Sequence, residues 1–230
     1  MQYNTTFIAD DQRSMKYRAV LFDFDGTLTP SHPLWLAAFR IALHSFDIDL
    51  TDAEIVRLFF YRDWAEAAEE LRLPSFETLQ REINNGLRIA FRDCELFPEV
   101  ASLLGRCRAN GLQTALVTSA PRLVLDDVMP RLGLSDLFDY VVCADDVNNF
   151  KPHPEPVHLS LAGLLREPHE AIMIGDSTVD ILAGKAAGTA TALFMPDLST
   201  SYHHLESLRA TEPDHIFSDH CELPDILGLR

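Results

Sequence analysis

Two carboxylates two residues apart, Asp23 and Asp25, close an apolar run of strand length, Val20-Leu21-Phe22, and are followed by Gly26, Thr27 and Thr29. On a strand, residues i and i+2 point to the same side, so the two charges are held close and repel unless something positive sits between them. A glycine directly after them lets the backbone turn tightly, or lets a ligand approach it. The chemistry these residues suggest is an acidic pocket for a hard cation that takes oxygen ligands. A strand leading into an acidic Asp-Gly surface turn fits the same residues, and the choice between the two rests on the remainder of the chain.

The run at 18–24 reads as a buried strand, and further strand-length apolar runs lie at 113–118, 139–143, 171–175 and 190–194, with a weaker one at 214–217. They are near-continuous in hydrophobicity rather than alternating, as parallel strands covered on both faces are. Helical patterns lie between them. One covers 98–110, with Pro98 in its first turn and Gly111 as its stop, and another covers 178–187 and stops at Gly188. Strands alternating with helices predict an α/β fold, a doubly wound, Rossmann-like parallel sheet. The interval 30–96 carries only helical signals. Residues 34–46 are amphipathic, Thr51-Asp52-Ala53-Glu54 is a capping box, and Ser75 precedes a helix through Leu79, Ile83, Leu87 and Phe91. The expected organisation is an extension over 1–17, an α/β core over 18–29 and 97–230, and a small α-helical cap inserted over 30–96.

In a doubly wound sheet, ligands bind beyond the carboxyl ends of the strands. The first strand delivers Asp23 and Asp25 there. The second delivers Thr118 and Ser119, the third is followed by Lys151, and the fourth delivers Asp176 and, four residues on, Asp180. Taken singly, Thr118, Ser119 and Asp176 suit helix caps and Lys151 a solvated loop. Together, at successive strand ends, they suit phosphoryl transfer through an aspartyl phosphate. One carboxylate attacks phosphorus and Mg²⁺ offsets the gathered negative charge. A lysine adds a point charge, hydroxyl and backbone N–H groups hold phosphate oxygens, and a second carboxyl moves the proton.

Four segments in this order, Asp23-Phe24-Asp25-Gly26-Thr27, Leu116-Val117-Thr118-Ser119, Lys151-Pro152-His153-Pro154 and Gly175-Asp176-Ser177-Thr178-Val179-Asp180, resemble the motifs of haloacid-dehalogenase-superfamily phosphatases with a helical cap of the first type. The similarity is to the phosphoglycolate phosphatase and β-phosphoglucomutase subgroup and spans roughly 18–228. It implies Asp23 as nucleophile and Asp25 as acid/base, with Mg²⁺ held by Asp23, by the backbone carbonyl of Asp25 and by Asp176, and supported from further out by Asp180. It also implies that Thr118 and Lys151 serve catalysis and that Gly26, Thr27, Thr118, Ser119 and Lys151 surround the phosphate. Three departures narrow the activity. The position where the mutases have a histidine, ten after the acid/base, holds Trp35. The dehalogenases lack the acid/base that stands here as Asp25. The cap region 30–96 has no lysine of the kind the phosphonate hydrolases need.

Composition sets further bounds. The 230 residues, 47% of them hydrophobic, suffice for a sizeable core, and no apolar run reaches the about 18 residues of a membrane span. Residues 1–18 are polar and show no secretory signal, and Met15 is a second candidate start. The four cysteines fit no ligand spacing, so free thiols in a reducing cytoplasm are expected. A formal net charge of −16 argues against nucleic acid or an anionic membrane as partner and leaves a small phosphorylated metabolite. A phosphoaspartate signalling module would combine similar residues; the acid/base Asp25 and the inserted cap favour turnover. In the cap, Phe59-Phe60-Tyr61-Arg62-Asp63-Trp64 joins aromatic rings to a guanidinium, so Arg62 is a candidate for a substrate carboxylate or second phosphate. The same segment also suits the cap's own core with Arg62 as a surface charge.

Overall fold

The computed structural model describes residues 16–60, 62–196 and 205–229. Met15, most of the 1–17 extension and Tyr61 lie outside them. Among the described residues, six strands, β1 (Ala19–Phe22), β2 (Gln113–Val117), β3 (Tyr140–Val142), β4 (Ala171–Gly175), β5 (Ala190–Phe194) and β6 (His215–Phe217), form one parallel sheet in the order β3-β2-β1-β4-β5-β6. The order reverses at β1, which pairs with β2 on one side and β4 on the other. Such a reversal opens a crevice beyond the carboxyl ends of the two central strands.

The period-2 alternation along β1 assigns its side chains to two layers. Val20 and Phe22 join one apolar cluster with α5 (Val100–Ala109), α6 (Arg122–Arg131) and α10 (Leu223–Leu227), whereas Ala19 and Leu21 join another with α7 (Glu155–Leu164) and α8 (Thr178–Ala187). All four β1 residues are buried, which is why the strand reads as a continuous apolar run. Helix α9 (Leu205–Ala210) lies between β5 and β6.

Among the described residues, four helices precede α5 in the interval between β1 and β2 and make up the insertion: α1 (His32–His44), α2 (Asp52–Phe59), α3 (Trp64–Glu70) and α4 (Phe76–Ala90). The capping box at Thr51 and Glu54 forms, and Ser75 caps α4 by accepting from the Thr78 amide. α1 packs mainly along α4. Trp35, Phe39, Leu79, Ile83 and Leu87 of this insertion belong to the same apolar cluster as Phe22, Phe24 and Leu28, so its packing is continuous with one face of the sheet.

Several boundaries differ from those read in the sequence. β1 stops at Phe22 rather than 24. The Asp23 amide still bonds the Ile174 carbonyl, and then the Phe24 carbonyl accepts from Leu28 and Thr29 while Gly26 N–H bonds Thr29 O, closing a tight turn. Helix α5 starts at Val100, two residues after Pro98. Helix α3 has no counterpart among the elements read in the sequence; Asp63 caps it by accepting from Ala65 N. Among the described residues no helix is long and apolar enough to cross a membrane, and all four cysteines are free thiols, three of them buried.

Candidate active site

Asp23 stands one residue beyond β1, Asp176 one residue beyond β4, and Asp180 in the first turn of α8. The strand ends are neighbours, so the three carboxylates meet, each offering one oxygen within 4.8 Å of the others, all buried. Lys151 enters from the loop after β3. Its Nζ donates to Asp23 Oδ1 at 2.6 Å, to Asp180 Oδ1 at 2.6 Å and to the Val117 carbonyl at 2.9 Å. The other oxygen of Asp180 accepts from the amide and hydroxyl of Ser177, closing the capping box that starts α8. Asp180 is thus tied to the helix start and the lysine, while Asp23 and Asp176 share a donor, the Thr27 hydroxyl, 3.4 Å from each. His32 Nε2 lies 3.7 Å from the second oxygen of Asp176.

Three carboxylates facing one ammonium leave a formal excess of two negative charges in a buried pocket. Burial pushes the Asp23 carboxyl well above its usual range, with Asp180, Asp176 and Asp25 adding to the push and Lys151 opposing it. Burial also works against the charge on Lys151, but Asp180 and Asp23 more than reverse it and raise its pKa, so the ammonium persists. A buried all-oxygen donor set short of positive charge fits a hard dication such as Mg²⁺.

Asp25 does not join that cluster with its side chain. The turn at 24–29 carries it away, and its Oδ1 accepts from Ser31 Oγ at 2.5 Å and Trp35 Nε1 at 2.8 Å. Two carboxylates side by side on a strand, as i, i+2 spacing suggests, are therefore not what forms, because the strand has already ended. Burial raises Asp25 to about 6, against the pull of the Ser31 and Trp35 hydrogen bonds. A carboxyl in that range suits proton transfer near neutral pH.

Gly26 occupies φ +80°, and a Cβ there would lie 2.0 Å from Asp176 Oδ2 and 2.4 Å from the His32 ring. Both the backbone conformation and the space exclude a side chain. Gly26→Ala is expected to lower kcat by on the order of 100-fold, read by steady-state phosphate release, because the nearest atom in its way is a carboxylate oxygen of the buried acidic cluster. Thr118 lies at the end of β2, buried, its hydroxyl accepting from Ala120 N at 2.9 Å. Ser119, next to it, is exposed.

The sequence candidates at the strand ends are therefore drawn to one edge of the sheet. Arg62 is placed in other company: its guanidinium pairs with Glu66 at 3.1 Å and Glu70 at 3.4 Å on α3. Four site contacts escaped sequence reasoning. These are the donors Ser31 and Trp35, the neighbour His32, and His220, whose Nε2 meets the Thr27 carbonyl at 2.8 Å across 193 residues of chain. In the sequence Trp35 marks only the absence of a histidine, and His220 carries no local signal.

A parallel sheet in this order, with a carboxylate at each central strand end and a buried lysine between carboxylates, defines the core of the haloacid dehalogenase-like hydrolases. The sequence profile of that family matches residues 20–194, and the chain belongs to it, as an enzyme of its phosphatase branch. The phosphoglycolate phosphatase of Salmonella typhimurium is 30% identical, with 92% of this chain and 93% of the relative covered. Pyrophosphatase PpaX of Anoxybacillus flavithermus is 31% identical, with 94% and 99% covered. In fold the chain is similar to CbbY of Rhodobacter sphaeroides, solved with xylulose-(1,5)-bisphosphate, at a TM-score of 0.79 and 22% identity, with 90% and 96% covered. It is similar also to a predicted phosphoglycolate phosphatase from Haemophilus somnus, at 0.78 and 22%, with 93% and 99% covered. Membership of a hydrolase family sets the signalling-module reading aside.

Proposed function

We propose that this chain is a Mg²⁺-dependent phosphomonoester hydrolase, cytoplasmic, that acts on a small phosphorylated metabolite of the phosphoglycolate kind through an aspartyl phosphate on Asp23. The observation that carries the reading is the buried cluster Asp23, Asp176 and Asp180 with Lys151 bonded to two of the three. The curated relatives named phosphoglycolate phosphatase support the substrate class.

Mg²⁺ would be held by Asp23, Asp176 and the backbone carbonyl of Asp25, and when bound would supply charge to offset the phosphate and the attacking carboxylate. The chain's own groups account for the remaining steps. An Asp23 oxygen bonds to phosphorus as the bond from phosphorus to the leaving oxygen breaks. Asp25, protonated, gives its proton to that oxygen. In the second half Asp25 takes a proton from water as the water oxygen bonds to phosphorus and the bond to Asp23 breaks. Lys151 keeps Asp23 oriented and adds positive charge, and Thr118, Ser119, Gly26 and Thr27 surround the phosphate. Arg62, held by two glutamates in this structure, would have to leave them to meet a second anion on the substrate.

The test is phosphate release from 2-phosphoglycolate, p-nitrophenyl phosphate and inorganic pyrophosphate. Turnover of the monoesters should stop in EDTA and return with Mg²⁺, and Asp176→Ala should raise the Mg²⁺ requirement or destroy activity. Full activity in chelator with metal-free protein would contradict the metal role. Pyrophosphate cleaved faster than every monoester would move the substrate assignment toward that of the PpaX relatives.

A further inference from the structure

Oδ1 of Asp25 accepts both of the hydrogen bonds that reach this carboxyl, while Oδ2 accepts none among the described residues. Both donors belong to the start of the helical insertion: Ser31 is the N-cap of α1 and Trp35 lies in its first turn. The indole is not free to choose another direction. It stands edge-on to Phe91 at 5.5 Å and lies 5.7 Å from Phe39 and 6.2 Å from Trp64. Trp64 is itself fixed, its Nε1 donating to the Phe59 carbonyl at 3.0 Å. The aromatic centre of the insertion therefore ends in one N–H, and that N–H is aimed at the carboxyl proposed to move the proton. Packing alone would be served by a phenyl ring; a buried indole N–H needs a partner, and here the partner is Asp25.

Resting on the phosphatase reading above, we infer that Trp35 is a positioning residue for proton transfer. Its indole N–H, with the Ser31 hydroxyl, fixes Asp25 Oδ1 so that Oδ2 is the oxygen that exchanges the proton. In the first half-reaction the O–H bond at Oδ2 breaks as the proton passes to the departing oxygen. In the second, a proton of water passes to Oδ2 as the water oxygen bonds to phosphorus and the Asp23–phosphorus bond breaks. The insertion thereby contributes to the chemistry as well as to covering the sheet edge.

Leaving-group dependence separates this role from a structural one. The ratio kcat/KM covers events only up to departure of the leaving group. p-Nitrophenolate departs without being protonated, whereas an alkoxide such as that of 2-phosphoglycolate needs the acid. Trp35→Phe, which keeps an aromatic ring and removes the N–H, should lower kcat/KM for 2-phosphoglycolate by roughly tenfold or more, and for p-nitrophenyl phosphate by about twofold at most. Ser31→Ala, with little packing to lose, should show the same split and keeps the test decisive if Trp35→Phe folds poorly. In an Asp25→Asn background, Trp35→Phe should have no further effect on 2-phosphoglycolate, since the amide still accepts from the indole but has no acid proton to deliver. Equal losses on both substrates, a loss that persists without Asp25, or a gain in rate would each overturn the inference. A wild-type protein that releases phosphate from neither substrate would instead bring down the phosphatase reading, and this inference with it.

Discussion

Asp23→Asn should leave a folded protein with no measurable turnover, a loss of at least ~10³-fold in kcat. Asparagine keeps the shape and can still accept from Lys151 Nζ, which in the wild type lies 2.6 Å from Oδ1. It also removes one negative charge from a pocket that burial already makes costly for Asp23. Melting temperature should therefore stay level or rise while catalysis disappears, and that opposition marks a nucleophile rather than a structural residue. Activity above a tenth of wild type would remove Asp23 from the covalent step.

Lys151→Met should damage both stability and rate. Methionine follows the path of the lysine stem but carries no charge. The ammonium is almost wholly buried and is bonded to Asp23, Asp180 and the Val117 carbonyl. Its removal leaves two carboxylates facing each other without their cation, a change that costs about 3–5 kcal/mol when one partner of a buried charge group is deleted. Raised Mg²⁺ should recover part of the stability, because a dication can answer the same charges. It should not recover the rate, which should remain about 10²–10⁴-fold down, since orientation of Asp23 is lost as well. Denaturant melts with and without Mg²⁺, beside steady-state kinetics, separate the two effects. Unchanged stability in metal-free protein would mean that the lysine contacts contribute little to the fold.

The strand ends were legible in the sequence because each motif combines a buried apolar run with a chemically distinctive residue just beyond it. β4 followed by Asp176 and β5 over 190–194 fall where hydrophobic continuity puts them. The direction of Asp25 was not legible. The i, i+2 spacing puts both carboxylates on one side only where the strand continues past 24, whereas β1 ends at Phe22 and the turn through Gly26 sends the carboxyl toward Ser31 and Trp35. Periodicity does not report where a strand stops when apolar residues such as Phe24 continue into the turn. Helix α3 escaped for the opposite reason: its seven residues, Trp64 to Glu70, bury only Ala67 and Ala68 and carry no apolar stripe. Ion pairs were beyond reach as well. Arg62 stands four residues before Glu66, a helical spacing, but the segment gave no sign that a helix began at Trp64. The His220 contact with Thr27 depends on the whole sheet being assembled.

The central claim is a covalent bond between phosphorus and Asp23, and rapid acid quench of the Asp25→Asn variant during turnover, followed by mass spectrometry, addresses it directly. Loss of the base should slow the attack of water on the intermediate, so that phosphoenzyme accumulates on a substrate with a good leaving group such as p-nitrophenyl phosphate. The account predicts an adduct with the mass of one phosphoryl group, mapped to Asp23 and absent when Asp23→Asn is added. An enzyme that turns over with no adduct in any variant, or an adduct mapped to another residue, would contradict it.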